Sequence, residues 1–521
     1  MGNVMFRFLK KQRARRAQAV EKKVSQWNAP LEERKIRASL EDNIAVCKQL
    51  FSDMDIIRYR RFQTEGETPL ECFLVFCDGM VHSQILNSHI VKPLMSLKVD
   101  VGSVPMESLI TGAVPVSEAS LIDSFRCVVE SVSSGDTVLF IHGCQQAAVL
   151  NTKQFNVRAI DEPDNEKVLV GPREGFTESL MQNLSQLVRR VHTNAFKTKM
   201  MTLGRLTKTP VCVCYLEGLV DKSILDELLR RLGQIDIDGV LDANYITELV
   251  REHRMSPFRS MGYTERPDAV VGKLLEGRIA IFVDGSPMAL TVPYLFIENF
   301  QSSEDYYLSF YYTSFARLLR IGAFLLTVTI PGLYIAVVAF HQEMLPLRLL
   351  IRIALERQSV PLPAAMEAVV MLIVFDILRE TGIRMPSNIG QALSIVGALV
   401  IGQAAVEASL VAAPMIIVVA ATGITSLLVP KLNAPITLWR FVILALSTSF
   451  GFFGFTIGLA LMMIHTGNMT SMGVEQFSLQ GSFHFQAFKD ILIRAPWPMM
   501  IKRPDHLTKN KIRQKGGQDH G

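Results

Sequence analysis

The chain has 521 residues, a formal net charge of +5 and 49% hydrophobic residues. This composition is ordinary for a folded protein, and so small a charge on so long a chain points to no nucleic acid partner. The distribution excludes a simple soluble protein: residues 1 to about 315 are charged and hold all seven cysteines, whereas Ile321–Ile464 is mostly apolar.

The first segment, 1–40, is basic, with Arg7, Lys10, Lys11, Arg13, Arg15, Arg16, Lys22 and Lys23 close together. More charge follows it, not an apolar h-region, so no signal peptide is read. The soluble region is expected in the cytoplasm, with reduced thiols. Two stretches then repeat. Cys72–Ile90, CFLVFCDGMVHSQILNSHI, aligns without gaps with Val211–Leu229, VCVCYLEGLVDKSILDELL. Each reads as an apolar strand, an acid-Gly turn (Asp78-Gly79, Glu217-Gly218) and an amphipathic helix, the second N-capped by Asp221. A second pair, Gly135–Cys144 (GDTVLFIHGC) and Gly277–Ser286 (GRIAIFVDGS), follows at nearly the same offset. Each reads as a buried strand and a tight turn, with Ala147–Leu150 and Met288–Val292 completing hairpins. Cys212 and Cys214 alternate on one strand and are read as core thiols.

Between the repeats lies GPREGFTESLMQNLSQLVRRV, Gly171–Val191. Thr177 is the expected helix N-cap, and Leu180, Leu184, Leu187 and Val191 the buried face. Arg189 and Arg190 suit the C-terminal end of that helix. In ERPDAVVGKLLEGRIAIFVDG, Glu265–Gly285, Asp268 is expected to cap a short helix that Gly277 ends. The acid-Gly steps are turn formers. There is no P-loop, complete G-x-G-x-x-G, H-E-x-x-H or G-x-S-x-G, so no catalytic residue, cofactor or metal is expected and the chain is not read as an enzyme.

Ile321–Phe340, Ser387–Val406, Ala408–Pro430 and Phe441–Ile464 carry no charge or almost none, each about the length that crosses a bilayer. Arg317 and Arg320 mark the cytoplasmic start of the first span, and Pro331-Gly332 predicts a kink. Leu345–Gln358, with Arg348, Arg352 and Arg357, reads as an interfacial amphipathic helix. Pro361–Leu378 carries Glu367 and Asp376 and reads as a short span, a re-entrant hairpin or a buried helix. Glu407 separates the next two spans, and Arg440 precedes the last. Four crossings are favoured, with 361–378 not crossing alone; five or six remain open. Gly390, Ser394, Gly397, Ile401 and Ala404 fall near one helical face, with Gly402, Gln403 and Ala405 beside it, and Glu407 supplies a further polar group or sits at an interface. That face serves either tight packing or a pore. Glu367, an intramembrane acid, is the leading single candidate.

The fold class expected is an α/β cytosolic region of two duplicated subdomains (41–160 and 195–305, joined by a linker helix in 161–194), followed by a polytopic α-helical membrane domain (315–465) and a C-terminal cytoplasmic tail (466–521). The stretches GPREGFTESL, ERPDAVVGKLLEGRIAIFVDG, SIVGALVIGQAAVEA (Ser394–Ala408) and APWPMMIKRPDHL (Ala495–Leu507) resemble, in order, the A subunits of the GerA family of spore germinant receptors. The resemblance implies the inner membrane of a bacterial spore, a transporter-like B subunit and a lipoprotein C subunit as partners, and a homo-oligomer in membrane lipid forming a nutrient-gated ion channel. A non-conducting scaffold is the alternative. A secondary transporter is disfavoured because the membrane half shows no internal repeat.

Overall fold

The computed structural model describes residues 35–65, 69–97, 119–153, 166–384, 400–477 and 493–500, with Met106, Pro163, Gly397, Asp490, Arg503 and Thr508. The basic N-terminal cluster, Ser394 and the last basic residues of the tail lie outside these.

The α/β region holds two five-stranded sheets of the same design. The first comprises β1 (Ile57–Gln63), β2 (Glu71–Cys77), β3 (Ala119–Ile122), β4 (Thr137–Ile141) and β5 (Ala147–Leu150), in the order β1-β2-β4-β5-β3. The second comprises β6 (Phe196–Leu203), β7 (Thr209–Leu216), β8 (Gly262–Thr264), β9 (Ile279–Val283) and β10 (Ala289–Val292), in the order β6-β7-β9-β10-β8. All neighbours are antiparallel. Register matches as well. Cys72 pairs with Ile141 and Val75 with Val138 in one sheet. At the aligned positions of the other, Val211 pairs with Val283 and Cys214 with Ala280.

Strand alternation assigns the layers. Phe73, Val75 and Phe140 of the first sheet share one core with Cys212, Cys214 and Phe282 of the second. The helices α1 (Leu40–Leu50), α2 (Phe125–Ser133) and α3 (Leu180–Val188) fill that layer. The outer face of the second sheet is covered by α4 (Lys222–Gly233) and α5 (Ala243–Val250). The helical stretch 83–95 covers the outer face of the first sheet through Leu86, Ile90, Val91 and Leu94, and from α6 (Pro267–Leu275) Val270 and Leu274 also enter the shared core. The expected apolar face of α3 is buried throughout.

Local chemistry sets the helix ends. Asp221 caps α4 by accepting from Ser223 N at 3.0 Å. The cap of α3 is Ser179, not Thr177. Thr177 is held outside the helix because its N–H donates to Asn183 Oδ1 at 2.8 Å. The exposed α3 N-terminus is instead satisfied by the turn Asp284-Gly285, whose carboxylate accepts from Leu180 N at 3.0 Å. Arg266, not Asp268, caps α6, because Pro267 at its first position fixes the helical entry. Asp268 turns to Arg266 and Tyr307.

The apolar part consists of α7 (Phe310–Ile335), α8 (Leu347–Gln358), α9 (Ala364–Arg384), α10 (Ala413–Leu427) and α11 (Asn433–Gly467). Helix α7 runs unbroken through Pro331 and widens into a π turn at Ala336–Phe340. By length and composition, Phe310–Phe340 and Pro430–Gly467 could each cross a membrane. The second is not one rod. Gly451 has φ 59 and ψ −136, and the chain reverses there. The Trp439 and His465 rings lie 5.7 Å apart, whereas a straight helix would separate these residues by about 39 Å. Gly458 packs on Ile443 so closely that a Cβ would fall 2.9 Å from Ile443 Cγ1. Arg440, expected ahead of the last span, therefore lies inside a helical hairpin that begins at Asn433. Pro346 is the N-cap of α8 and not part of its first turn.

Two outcomes follow for the α/β region. Burial pushes the Cys47 and Cys72 thiols up to about 12, and only Cys127 and Cys144 are partly exposed. Maleimide at pH 8 is expected to label Cys127 and Cys144 of the native protein rapidly and the five buried thiols only on denaturation; fast labelling of Cys47 or Cys212 contradicts the packing. Gly277 has φ +91, and a Cβ there would lie 2.7 Å from Leu219 O, whereas Gly285 (φ +86) has open space. Gly277→Ala should cost more than the roughly 1–2 kcal/mol of backbone strain that Gly285→Ala incurs, measured as the difference in thermal midpoint.

Candidate functional site among the apolar helices

This region buries few charges, and Arg317, Arg440 and Glu367 each face an opposite charge, whereas Trp439 Nε1, Ser447 Oγ and Asn433 Oδ1 are buried with no hydrogen-bond partner among the described residues. At the junction, Asp305 is buried beside the first turns of α7. Its carboxylate accepts from Arg317 Nε at 2.9 Å and from Arg320 Nη1 at 3.0 Å. Arg317 also reaches Asp490 Oδ1 at 2.9 Å. These arginines were expected merely to precede the first span; they are helical residues that bind α7 to the α/β region. Nearby, Lys431, in the turn before α11, pairs with Glu166 at 3.0 Å. Burial alone would raise the Glu166 carboxyl, but the Lys431 charge together with hydrogen bonds from Thr264, Lys431 and the Glu265 N–H holds it below its usual range.

Deeper among the helices, Arg440 is 0% exposed and forms an ion pair with Asp376 of α9. One turn along α9, Arg379 Nη1 donates to Ser426 Oγ of α10 at 3.4 Å. Sequence reading noted Asp376 but took Arg440 for a boundary charge. The available signal was the pair itself, one acid and one base within separate apolar runs.

Glu367 is 1% exposed, in the first turn of α9. Its Oε2 accepts from Ala412 N, the N-cap residue of α10, at 3.0 Å. Its Oε1 lies 3.9 Å from Arg357 Nε, at the C-terminal end of α8. A carboxylate at a helix N-terminus is favoured by the helix dipole. Glu367 thus joins α8, α9 and the start of α10.

Of the remaining candidates, Ile401, Gln403 and Glu407 lie on the helical segment 400–407, which ends at a turn where Ser409 has φ 53. Gly397 is half-buried, and a Cβ would meet Leu378 Cδ2 at 3.0 Å. Ile401, Gln403 and Glu407 are exposed, and Gln403 Nε2 donates to Glu407 Oε1 at 3.0 Å. Glu367 is not in that exposed group; it fastens the turn that follows it. Among the described residues, no group of three His, Cys, Asp or Glu side chains is placed to hold a metal.

The Asp376–Arg440 pair gives a direct test. Removing one member of a buried pair costs about 3–5 kcal/mol, because the other charge is stranded. Asp376→Asn and Arg440→Met are each expected to lower the thermal midpoint in detergent, and the double variant to recover much of the loss. Additive losses would show that the two side chains act separately.

Comparison with known proteins gives a consistent result. The family described as Bacillus/Clostridium GerA spore germination protein matches residues 45–506. Spore germination protein KA of Bacillus subtilis strain 168 is 36% identical over 482 residues, 92% of this chain and 89% of that protein. The uncharacterized membrane protein YfkQ of the same organism is 37% identical over 490 residues, 94% of each chain. Among solved structures, the N-terminal domain of the A subunit of the Bacillus megaterium spore germinant receptor GerK3 aligns at 27% identity and a TM-score of 0.38, over 50% of this chain and 98% of that one. With a family match over residues 45–506 and similarity to protein KA along most of both chains, the protein belongs to the GerA family of spore germination proteins.

Proposed function

We propose that this chain is the membrane subunit of a nutrient receptor that triggers spore germination, and that several copies together form an ion path opened by nutrient. Family membership supports the receptor role, with B and C subunits as partners in the spore inner membrane. The outward faces of the apolar helices support insertion in lipid: Ile417, Ile424, Leu427, Phe450, Phe453, Met463 and Ile464 are all exposed. Such a surface is costly in water and ordinary in a bilayer.

The helices also support an even number of crossings. Both ends of the apolar region meet the α/β region: Arg317 through Asp305, and His465 through Ser256 at 2.8 Å. Between them α7, α9, the segment ending at Glu407, α10 and the two arms of α11 alternate in direction. Glu367 meeting Ala412, and Gly451 meeting Phe340, mark the far end.

The observation that carries the channel reading is the exposed Gln403–Glu407 pair on a helix whose neighbouring surface is Val400, Ile401 and Ala404. A carboxylate does not face lipid tails; it turns to water or to another copy. Glu367 then acts as a positioning residue, holding the turn from which this helix is suspended. In the scaffold alternative the pair packs against a partner and no ions pass.

Ion release through the reconstituted receptor, with and without nutrient, tests the reading. Glu407→Gln and Gln403→Leu are expected to retain normal abundance and to change ion selectivity or the nutrient threshold. Gly397→Leu, which pushes on Leu378, should leak without nutrient or block release. Glu367→Gln retains an acceptor for Ala412 N but loses attraction to Arg357, and should shift the threshold with less effect on selectivity. Normal abundance and unchanged release in all four variants would contradict the assignment.

A further inference from the structure

The loop between α5 and β8 reads REHRMSPFRS, Arg251–Ser260, three arginines and a histidine against a single acid. That acid is already engaged: Glu252 pairs with Arg231 at 3.0 Å, accepts from Gly473 N at 2.9 Å and bonds Thr470. Arg251 is turned inward, donating to Ser256 O at 3.4 Å. His253 is exposed, 3.4 Å from Thr470 Oγ1. Arg254 and Arg259 are exposed and have no carboxylate partner among the described residues; Arg259 lies over the Tyr263 ring at 4.1 Å. At the tip between them, Met255 is 97% exposed.

The inner side of the loop is tied to the apolar helices. Ser256 Oγ meets His465 Nε2 at 2.8 Å and Met469 Sδ at 3.3 Å. Phe258 is buried in one cluster with Phe296, Phe324 of α7 and Trp439 of α11. These contacts set its depth. From the reversal at Gly451 to His465 a helix rises only about 21 Å, less than the roughly 30 Å of a bilayer's hydrocarbon core. A loop fixed to His465 therefore lies at the headgroup layer, not out in solvent.

We propose that Arg254, Arg259 and Met255 form a docking site for anionic phospholipid headgroups in the leaflet facing the α/β region. The arginines take the phosphates and the methionine enters the acyl boundary between them. This rests on the membrane reading above and adds to it a lipid-recognising contact made by the α/β region.

The test uses the full-length protein with Met255→Cys in a Cys127→Ser, Cys144→Ser background, labelled with an environment-sensitive fluorophore. It is placed in nanodiscs of phosphatidylcholine alone or mixed with phosphatidylglycerol. A second probe at Ile424→Cys, on the outward face of α10, reports insertion. The result expected is quenching of the 255 probe by nitroxide-bearing lipid in the anionic discs and by aqueous iodide in the neutral ones. Arg254→Gln with Arg259→Gln should abolish the difference, each arginine being worth about five-fold in association with an anionic leaflet. If the 424 probe is quenched by nitroxide lipid while the 255 probe answers only to iodide in both discs, lipid docking is overturned and the membrane reading stands. Shielding of position 255 only on adding the other receptor subunits would also overturn it, in favour of a protein contact. If neither probe meets nitroxide lipid, both readings fail.

Discussion

A charge set among apolar helices must carry its counter-charge with it, and this constraint governs how the two parts of the chain meet. Arg317 and Arg320 lie in the N-terminal half of the first apolar helix, and Asp305, which receives both, is the last acid before that helix begins. Arg440 is buried with Asp376, and Glu367 is held between Arg357 and the start of α10. The Asp376–Arg440 and Glu367–Ala412 contacts join elements 64 and 45 positions apart, and the others join successive elements. The arrangement of helices is thus fixed less by apolar packing, which is similar against lipid and protein, than by where the few charges find partners.

The same logic ties the α/β region to the helices at more than one place. Asp305 holds the start of α7, Glu166 holds Lys431 in the turn before α11, and Ser256 meets His465 near its end. Phe258, Phe296 and Phe300 complete the seam, packing on Phe324. A displacement of the second sheet, whose strand β8 carries Thr264 onto Glu166, is therefore passed to both arms of the α11 hairpin.

Much of the α/β region was legible in the sequence because its signals are local. Strand alternation placed Cys212 and Cys214 on one face, and the acid-Gly turns marked the strand ends. The caps were misplaced by two residues where a side chain further along intervened, as Asn183 does at Thr177. The helical region was less legible. The reversal at Gly451 occurs in GFFGFTIG, where nothing distinguishes that glycine from its neighbours until the packing of Ile443 on Gly458 is seen. Arg440 resembled a boundary residue because its partner is 64 positions away. Glu367 was recognised as unusual from its type and place alone, but its partners, a backbone N–H and an arginine on a separate helix, are matters of tertiary structure.

The central claim is that both ends of the apolar region lie on the side of the α/β region, with the Gly451 turn and His341–Met344 at the opposite end. Labelling from either side of sealed vesicles with a membrane-impermeant maleimide tests it most directly, using Glu343→Cys and Glu475→Cys separately in the Cys127→Ser, Cys144→Ser background. The account predicts that position 475 reacts from the same side as the α/β region and position 343 only from the other. Reaction of both positions from one side would contradict it.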